Sequence, residues 1–160
     1  MRILAAFLLA LPLFAQSPCE TPAHHTLDFW IGEWDVTNAA GKRAGHSVIE
    51  RALDNCVVIE HWTGARGANG VSFNRFDPAS KQWQQHWVDN GGESLEMTGG
   101  PSGERFVYQY TLPDRKLSRM TFTHRDANHV RQHIEQSEDG GKSWTTQYDL
   151  QYVRVGTAAR

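Results

Sequence analysis

With 160 residues, the chain is long enough for one domain with a sizeable core and too short for two ordinary ones. Sixteen basic against eighteen acidic residues leave a net charge of −2 with no basic stripe, which argues against nucleic acid as a partner. Six Trp, four Tyr and seven Phe are many for this size, so rings are expected to fill a core or line a cavity.

The opening "MRILAAFLLALPLFAQ" carries one positive charge at Arg2, an apolar run from Ile3 to Phe14, and a small residue at Ala15. That pattern is a secretory signal peptide over residues 1–15, with cleavage expected after Ala15. The run is about half of the roughly 20 residues needed to span a bilayer, so no stable membrane insertion is expected. Pro18 stands where a lipobox wants Gly or Ala, which argues against lipidation of Cys19. The expected location is therefore periplasmic or secreted. In an oxidising compartment the two cysteines, Cys19 and Cys56, are expected to pair. The bridge would tie the N-terminal segment to a strand.

Residues 16–31 read as a cap, with a short helix or irregular segment over 22–31. From residue 32 the pattern turns to strands, expected near 33–37, 45–53, 56–64, 70–76, 82–88, 93–98, 104–112, 117–124, 129–137 and 144–154. Turn residues punctuate them: Gly41, Asp54-Asn55, Gly64 to Gly70, Asp77-Pro78, Asn90-Gly91-Gly92, Pro113-Asp114 and Asp139-Gly140-Gly141. No later segment has ten residues of helical periodicity. The fold class is all-β: an antiparallel meander of about eight to ten strands over residues 32–156, closed into a barrel because closure removes exposed edges. Such a barrel has room for one small ligand.

"SEDGGKSW", residues 137–144, matches the Asp-box pattern found in sialidase propellers. A propeller needs at least four blades, and the chain has neither the length nor a repeat of that period. Between two expected strands, Asp139 can bond the turn amides and the glycines supply positive φ. The motif is a hairpin turn here and carries no glycosidase information.

Alternation assigns faces. Trp83, Gln85 and Trp87 share one face, expected inward, which turns His86 outward. Phe106, Tyr108 and Tyr110 share another. Val130, Gln132 and Ile134 oppose Arg131, His133 and Glu135. In "CVVIEHW" both faces are rather apolar, so the inward one stays open between Val58, Glu60, Trp62 and Val57, Ile59, His61.

The segment "LDFWIGEWDV", residues 27–36, resembles the start of a family of exported bacterial proteins of unknown function with a lipocalin-like fold. The likeness continues through "GKRAGHSVIERALDNCVVIEHWTG", "SFNRFDPASKQWQQHWVDN", "VRQHIEQSEDGGKSW" and a closing Tyr152-x-Arg154, nearly all the mature chain. Within the wider calycin superfamily, Gly32-x-Trp34 looks like the G-x-W of the first strand. That resemblance implies a structural role for Gly32, Trp34 and Arg154, with the Arg stacked on the Trp at the barrel floor. Nitrobindin-type haem barrels carry further glycines after the first Trp and a C-terminal haem-ligating His. Here "DVTNAAG" follows Trp34 and no His lies beyond His133, so no cofactor is expected.

His129, His133 and Glu135 share a strand face, a spacing metal ligands can use. Without H-x-H or C-x-x-C, no metal site is expected. The expected function is an exported binding protein holding a small hydrophobic or aromatic molecule in the lumen. The candidate ligand-binding residues are Glu60, Trp62, Trp83, Gln85, Trp87, Tyr108 and Gln132. The alternative is a small cofactor-free enzyme, an isomerase, cyclase or dehydratase, with Glu60 as acid/base and His133 or Glu135 as its partner. A structural Glu60, bonded by Arg51 or Arg119, is the bland reading. A module binding another protein through an open edge or the Gly64–Gly70 loop completes the set.

Overall fold

The computed structural model describes residues 18–156. The signal peptide expected over residues 1–15 and its expected cleavage after Ala15 lie outside the described residues.

Two short 3-10 turns, Pro22–His25 and Asp28–Trp30, form the cap. Ten strands follow: β1 (Gly32–Asn38), β2 (Arg43–Ala52), β3 (Val57–Gly64), β4 (Asn69–Asp77), β5 (Gln82–Asp89), β6 (Ser94–Ser102), β7 (Arg105–Thr111), β8 (Leu117–Asp126), β9 (His129–Ser137) and β10 (Thr145–Arg154). Each pairs antiparallel with the next, and β1 pairs with β10, so the meander closes into a barrel. The architecture is consistent with a lipocalin- or calycin-like barrel. Closure leaves no open sheet edge for a partner strand at either terminus of the meander.

The cap covers one end, the floor. Leu27 and Trp30 are fully buried there with Trp34, Trp83, Phe106 and Phe122. The Trp34 indole donates to the Trp30 carbonyl at 2.8 Å, and the Trp83 indole donates to Thr26 Oγ1 at 2.8 Å. Arg154 lies 4.1 Å above the Trp34 ring and donates to the Ile31 carbonyl at 2.8 Å. A guanidinium is weakly hydrated and planar, so it stacks on an indole at little desolvation cost. Gly32 has φ 136°, and a side chain there would collide with the Arg154 guanidinium. The Cys19–Cys56 disulfide, with Cα atoms 4.9 Å apart, staples the cap to the start of β3.

The "SEDGGKSW" motif is the β9–β10 turn. Asp139 Oδ1 accepts from the Lys142 and Ser143 amides at 3.0 and 2.9 Å, and Oδ2 accepts from the Ser143 hydroxyl at 2.6 Å. Gly140 and Gly141 take φ 74° and 91°. The Ser143 hydroxyl, first among these donors, holds the Asp139 carboxyl far below the usual carboxylate range.

One strand changes partner in mid-course. β6 pairs with β5 from Ser94 to Gly99 and with β7 from Thr98 to Ser102, so the two ladders overlap only at Thr98 and Gly99. The Val107 carbonyl oxygen occupies the place a Gly99 Cβ would take. On the far side of that crossing β6 and β7 are no longer paired, and a cleft lies between them.

Gly99→Ala therefore drives a methyl into backbone that cannot rotate away. We expect a loss of about 3 kcal/mol, seen as a fall of roughly 10 °C in Tm. Gly100→Ala, with nothing within 4 Å of its Cβ position, is the control. It should change stability by no more than about 0.5 kcal/mol. Equal melting of the two variants would contradict the account of the crossing.

Candidate functional site: a polar belt beneath an aromatic mouth

Away from the capped floor, the lumen is lined by alternate residues of all ten strands. β3 turns Val58, Glu60 and Trp62 inward and leaves His61 exposed. This resolves the face that alternation leaves open. Both faces of β3 are apolar by composition, and only the barrel's curvature separates them.

Glu60 is 4% exposed and sits mid-lumen. Ser47 of β2 donates to Glu60 Oε1 at 2.8 Å, and Ser72 of β4 donates to Oε2 at 3.2 Å. The Tyr152 hydroxyl of β10 lies 3.5 Å from Oε1 and 3.4 Å from Gln132 Oε1. The network extends sideways. Asn74 Nδ2 donates to the Ser72 hydroxyl at 3.1 Å, while Asn74 Oδ1 accepts from Gln85 Nε2 at 2.7 Å and from the Tyr108 hydroxyl at 3.0 Å. Gln132 Nε2 faces the Met120 sulfur at 3.1 Å.

Burial is the largest influence on Glu60 and pushes its carboxyl up to about 7, against the opposing effect of the Ser47, Ser72 and Tyr152 hydroxyls. No charged side chain contributes. Burial also raises the Tyr108 and Tyr152 phenols, so both remain hydrogen-bond donors at neutral pH.

Above this belt lie the half-buried rings of Trp62 and Trp87. The six-membered ring of Trp62 lies over Gly45, 2.6 Å from where a Cβ would stand, and that of Trp87 lies over Gly70. Both glycines lie on the neighbouring strand, further toward the mouth. Their missing side chains let the indoles lie flat on the wall, directed away from Glu60. The rings therefore lie along the upper wall of the lumen.

Where the β6–β7 ladder ends at Thr98 and Gln109, the wall carries a cleft at this half of the barrel. Its volume is about 570 Å³, and its walls include Met97, Tyr110, Ser118, Leu117, Gln109 and Trp144. That size falls within the roughly 300–1,000 Å³ of small-molecule sites. Trp144 is held in place by its indole bond to the Gly141 carbonyl at 3.1 Å and by Arg119, 4.1 Å over the ring. The Asp-box turn thus supplies one wall of the cleft.

The structure brings Glu60, Gln85, Tyr108 and Gln132 into one connected network and puts Trp62 and Trp87 above it. Trp83 stands apart, at the floor against the cap. Neither predicted partner of Glu60 reaches it. His133 and Glu135 lie on the outer side of β9, His133 bonding Thr146 at 2.9 Å and Glu135 accepting from Arg119 at 2.8 Å. Arg51 does not bond Glu60 either: it holds Asp28 and the carbonyls of His24 and Asn55. The hydroxyls of three different strands take the place of a guanidinium. Among the described residues, no group of three or more His, Cys, Asp or Glu could hold a metal ion.

Sequence reasoning overlooked Ser47, Ser72, Asn74 and Tyr152. A signal was available in β4, where polarity alternates in the inverse sense: Ser72 and Asn74 are buried, whereas Phe73 is 47% exposed. A strand that turns its small polar residues inward marks a polar lumen. No known family model matches the chain, and no curated protein matches it significantly.

Proposed function

We propose that this protein is an exported small-molecule binding protein of the periplasm or extracellular medium. It holds an apolar or aromatic ligand at the mouth end of the barrel. Trp62 and Trp87 contact the body of the ligand. Glu60, Gln85 and Gln132 fix its polar group, and Tyr108 and Trp83 form the wall and floor beneath. Its kinship with exported lipocalin-like proteins rests on the "LDFWIGEWDV" segment and the closing Tyr152-x-Arg154. The disulfide fits an oxidising compartment. No helix among the described residues is long and apolar enough to cross a membrane.

The observation that carries this reading is the pair of glycines, Gly45 and Gly70, beneath the two indoles. A barrel that only had to be filled would gain by packing side chains there and folding the rings over the belt. An aromatic wall left half-buried above a satisfied polar layer is what a ligand with one polar end requires.

The test is native mass spectrometry of the mature protein purified gently from its host, followed by titration of the recovered compound. Trp62→Ala and Trp87→Ala should each weaken binding about tenfold, the loss of one buried aromatic contact. A bare protein mass, together with tryptophan fluorescence unmoved by apolar and aromatic compounds, would rule the reading out. Acid–base catalysis at Glu60 is the second reading, favoured by its carboxyl pushed up to about 7 among hydroxyl and amide groups. The same experiment separates the two: a binding protein returns its ligand unchanged, and an enzyme returns a product of altered structure.

A further inference from the structure

We infer that the ligand is a protonated amine with a short tether to an apolar or aromatic body, its ammonium held by Glu60 and its body lying against Trp62 and Trp87. The inference rests on the binding reading above.

Charge is the first argument. Between the cap and the Trp62–Trp87 layer, the inward side chains in the described residues include one carboxyl group, Glu60, and no Lys, Arg or His. By alternation Asp89 lies at the mouth, where it accepts from the Gly91 and Glu93 amides, and His124 lies at the floor, stacked on Phe29. The two arginines whose positions turn toward the lumen, Arg51 and Arg154, both lie at the floor. Arg51 is occupied by Asp28 and cap carbonyls, and Arg154 by Trp34 and the Ile31 and Ala127 carbonyls. A ligand carboxylate or phosphate would meet no cation and one potential like charge. A neutral ligand would leave the buried carboxyl as poorly placed to ionise as before. An ammonium supplies the missing countercharge where burial makes it most valuable.

Geometry is the second. Glu60 and Trp62 are successive inward residues of β3, so roughly 7 Å separates their layers. Ser72 stands opposite Glu60 on one side and opposite Trp87 on the other. Trp87 itself is level with Glu60 in this register, but its ring reaches over Gly70, which stands opposite Trp62. The rings of both indoles therefore lie about one layer above the carboxylate, the span of a two- or three-carbon tether. The π faces of indoles also attract a cation passing between them.

Hydrogen-bonding capacity is the third. An ammonium has three donors and no acceptor. The belt offers Glu60, the Gln132 Oε1 that is held only by a 3.4 Å contact from Tyr152, and the Ser47 and Ser72 hydroxyls, which can rotate to accept.

The test compares three matched probes at pH 8: 2-phenylethylamine, 2-phenylethanol and 3-phenylpropionate, titrated by calorimetry against the mature protein. The amine should bind about tenfold or more tighter than the alcohol, with the carboxylate weakest, the margin of one charge-assisted hydrogen bond. In Glu60→Gln the amine and the alcohol should fall within twofold of each other. Trp87→Ala, as a second variant, should weaken the amine without inverting the order. Equal binding of amine and alcohol by the parent protein, or a preference that survives Glu60→Gln, overturns the amine inference and leaves the binding reading standing. Failure of all three probes to bind overturns both.

Discussion

Replacing both cysteines, Cys19→Ser with Cys56→Ser, should lower stability by about 4 kcal/mol, or a Tm fall of about 10–15 °C, without altering the folded structure. The bridge spans a sequence separation of 37, and most of its effect in the chain-entropy picture is on the unfolded chain, which it prevents from expanding. In the native state the cap has its own attachments. Leu27 and Trp30 are fully buried, Trp83 and Trp34 bond cap oxygens, and Arg51 grips Asp28 and the His24 carbonyl. Near-UV circular dichroism of the variant should therefore match that of the parent at 25 °C, and only the melting curve should move. If instead native-state proteolysis cut the variant on the N-terminal side of Trp30 while sparing the parent, the staple would be holding the cap in place directly.

Glu60→Gln should act in the opposite direction, and only above pH 5. The folded-state carboxyl is raised to about 7 by burial, whereas in the unfolded chain it titrates near the ordinary value of 4.5. The folded protein thus binds this proton more tightly. Its contribution to stability is complete below the unfolded value and is lost as pH rises through about 7. A shift of that size corresponds to about 3 kcal/mol between pH 4.5 and pH 8. Gln keeps the shape, cannot ionise, and its carbonyl can accept from Ser47 and Tyr152 while its amide donates to the Ser72 hydroxyl. The variant should equal the parent near pH 4.5 and exceed it by up to about 3 kcal/mol at pH 8, measured by urea unfolding at a series of pH values. The carboxylates held low by hydrogen bonds, such as Glu135 with Arg119 and Asp149 with Arg131, act with the opposite sign. Their stabilisation is present above the ordinary carboxylate range and is lost as pH falls, so it leaves the window above pH 5 to Glu60. A parent and variant with parallel pH profiles would show that water reaches Glu60 freely. A residue that destabilises its own fold at neutral pH is expected where function requires it.

These two outcomes bear on the site together. If Glu60 destabilises the empty barrel at pH 8, a ligand that neutralises its charge gains that free energy on binding. The amine preference and the stability profile then share one cause.

The ten strands and their hairpins are legible in the sequence because their causes are local. A period-two alternation and a glycine or Asx turn act within a few residues, as Asp139 does with the amides of Lys142 and Ser143. The pairing of Cys19 with Cys56 follows from there being two cysteines and no other choice. The inward turn of Trp83, Gln85 and Trp87 follows from the polarity contrast along β5. The belt is different. Ser47, Ser72 and Tyr152 lie 13, 12 and 92 residues from Glu60, and nothing local in any of the three marks it as that carboxyl's neighbour. The inward side of β3 has the same origin: Val57 and Ile59 are as apolar as Val58, so composition cannot orient the strand. The β2–β3 and β3–β4 hairpins set Ser47 and Ser72 beside Glu60, and the closing of β1 on β10 brings Tyr152 to the same depth and makes that face of β3 the inside. Sequence determined the elements and the staple, since short-range backbone preferences and cysteine count specify them. Tertiary structure decided the site, because a carboxyl's surroundings in a barrel depend on strands far apart in the chain meeting around one lumen.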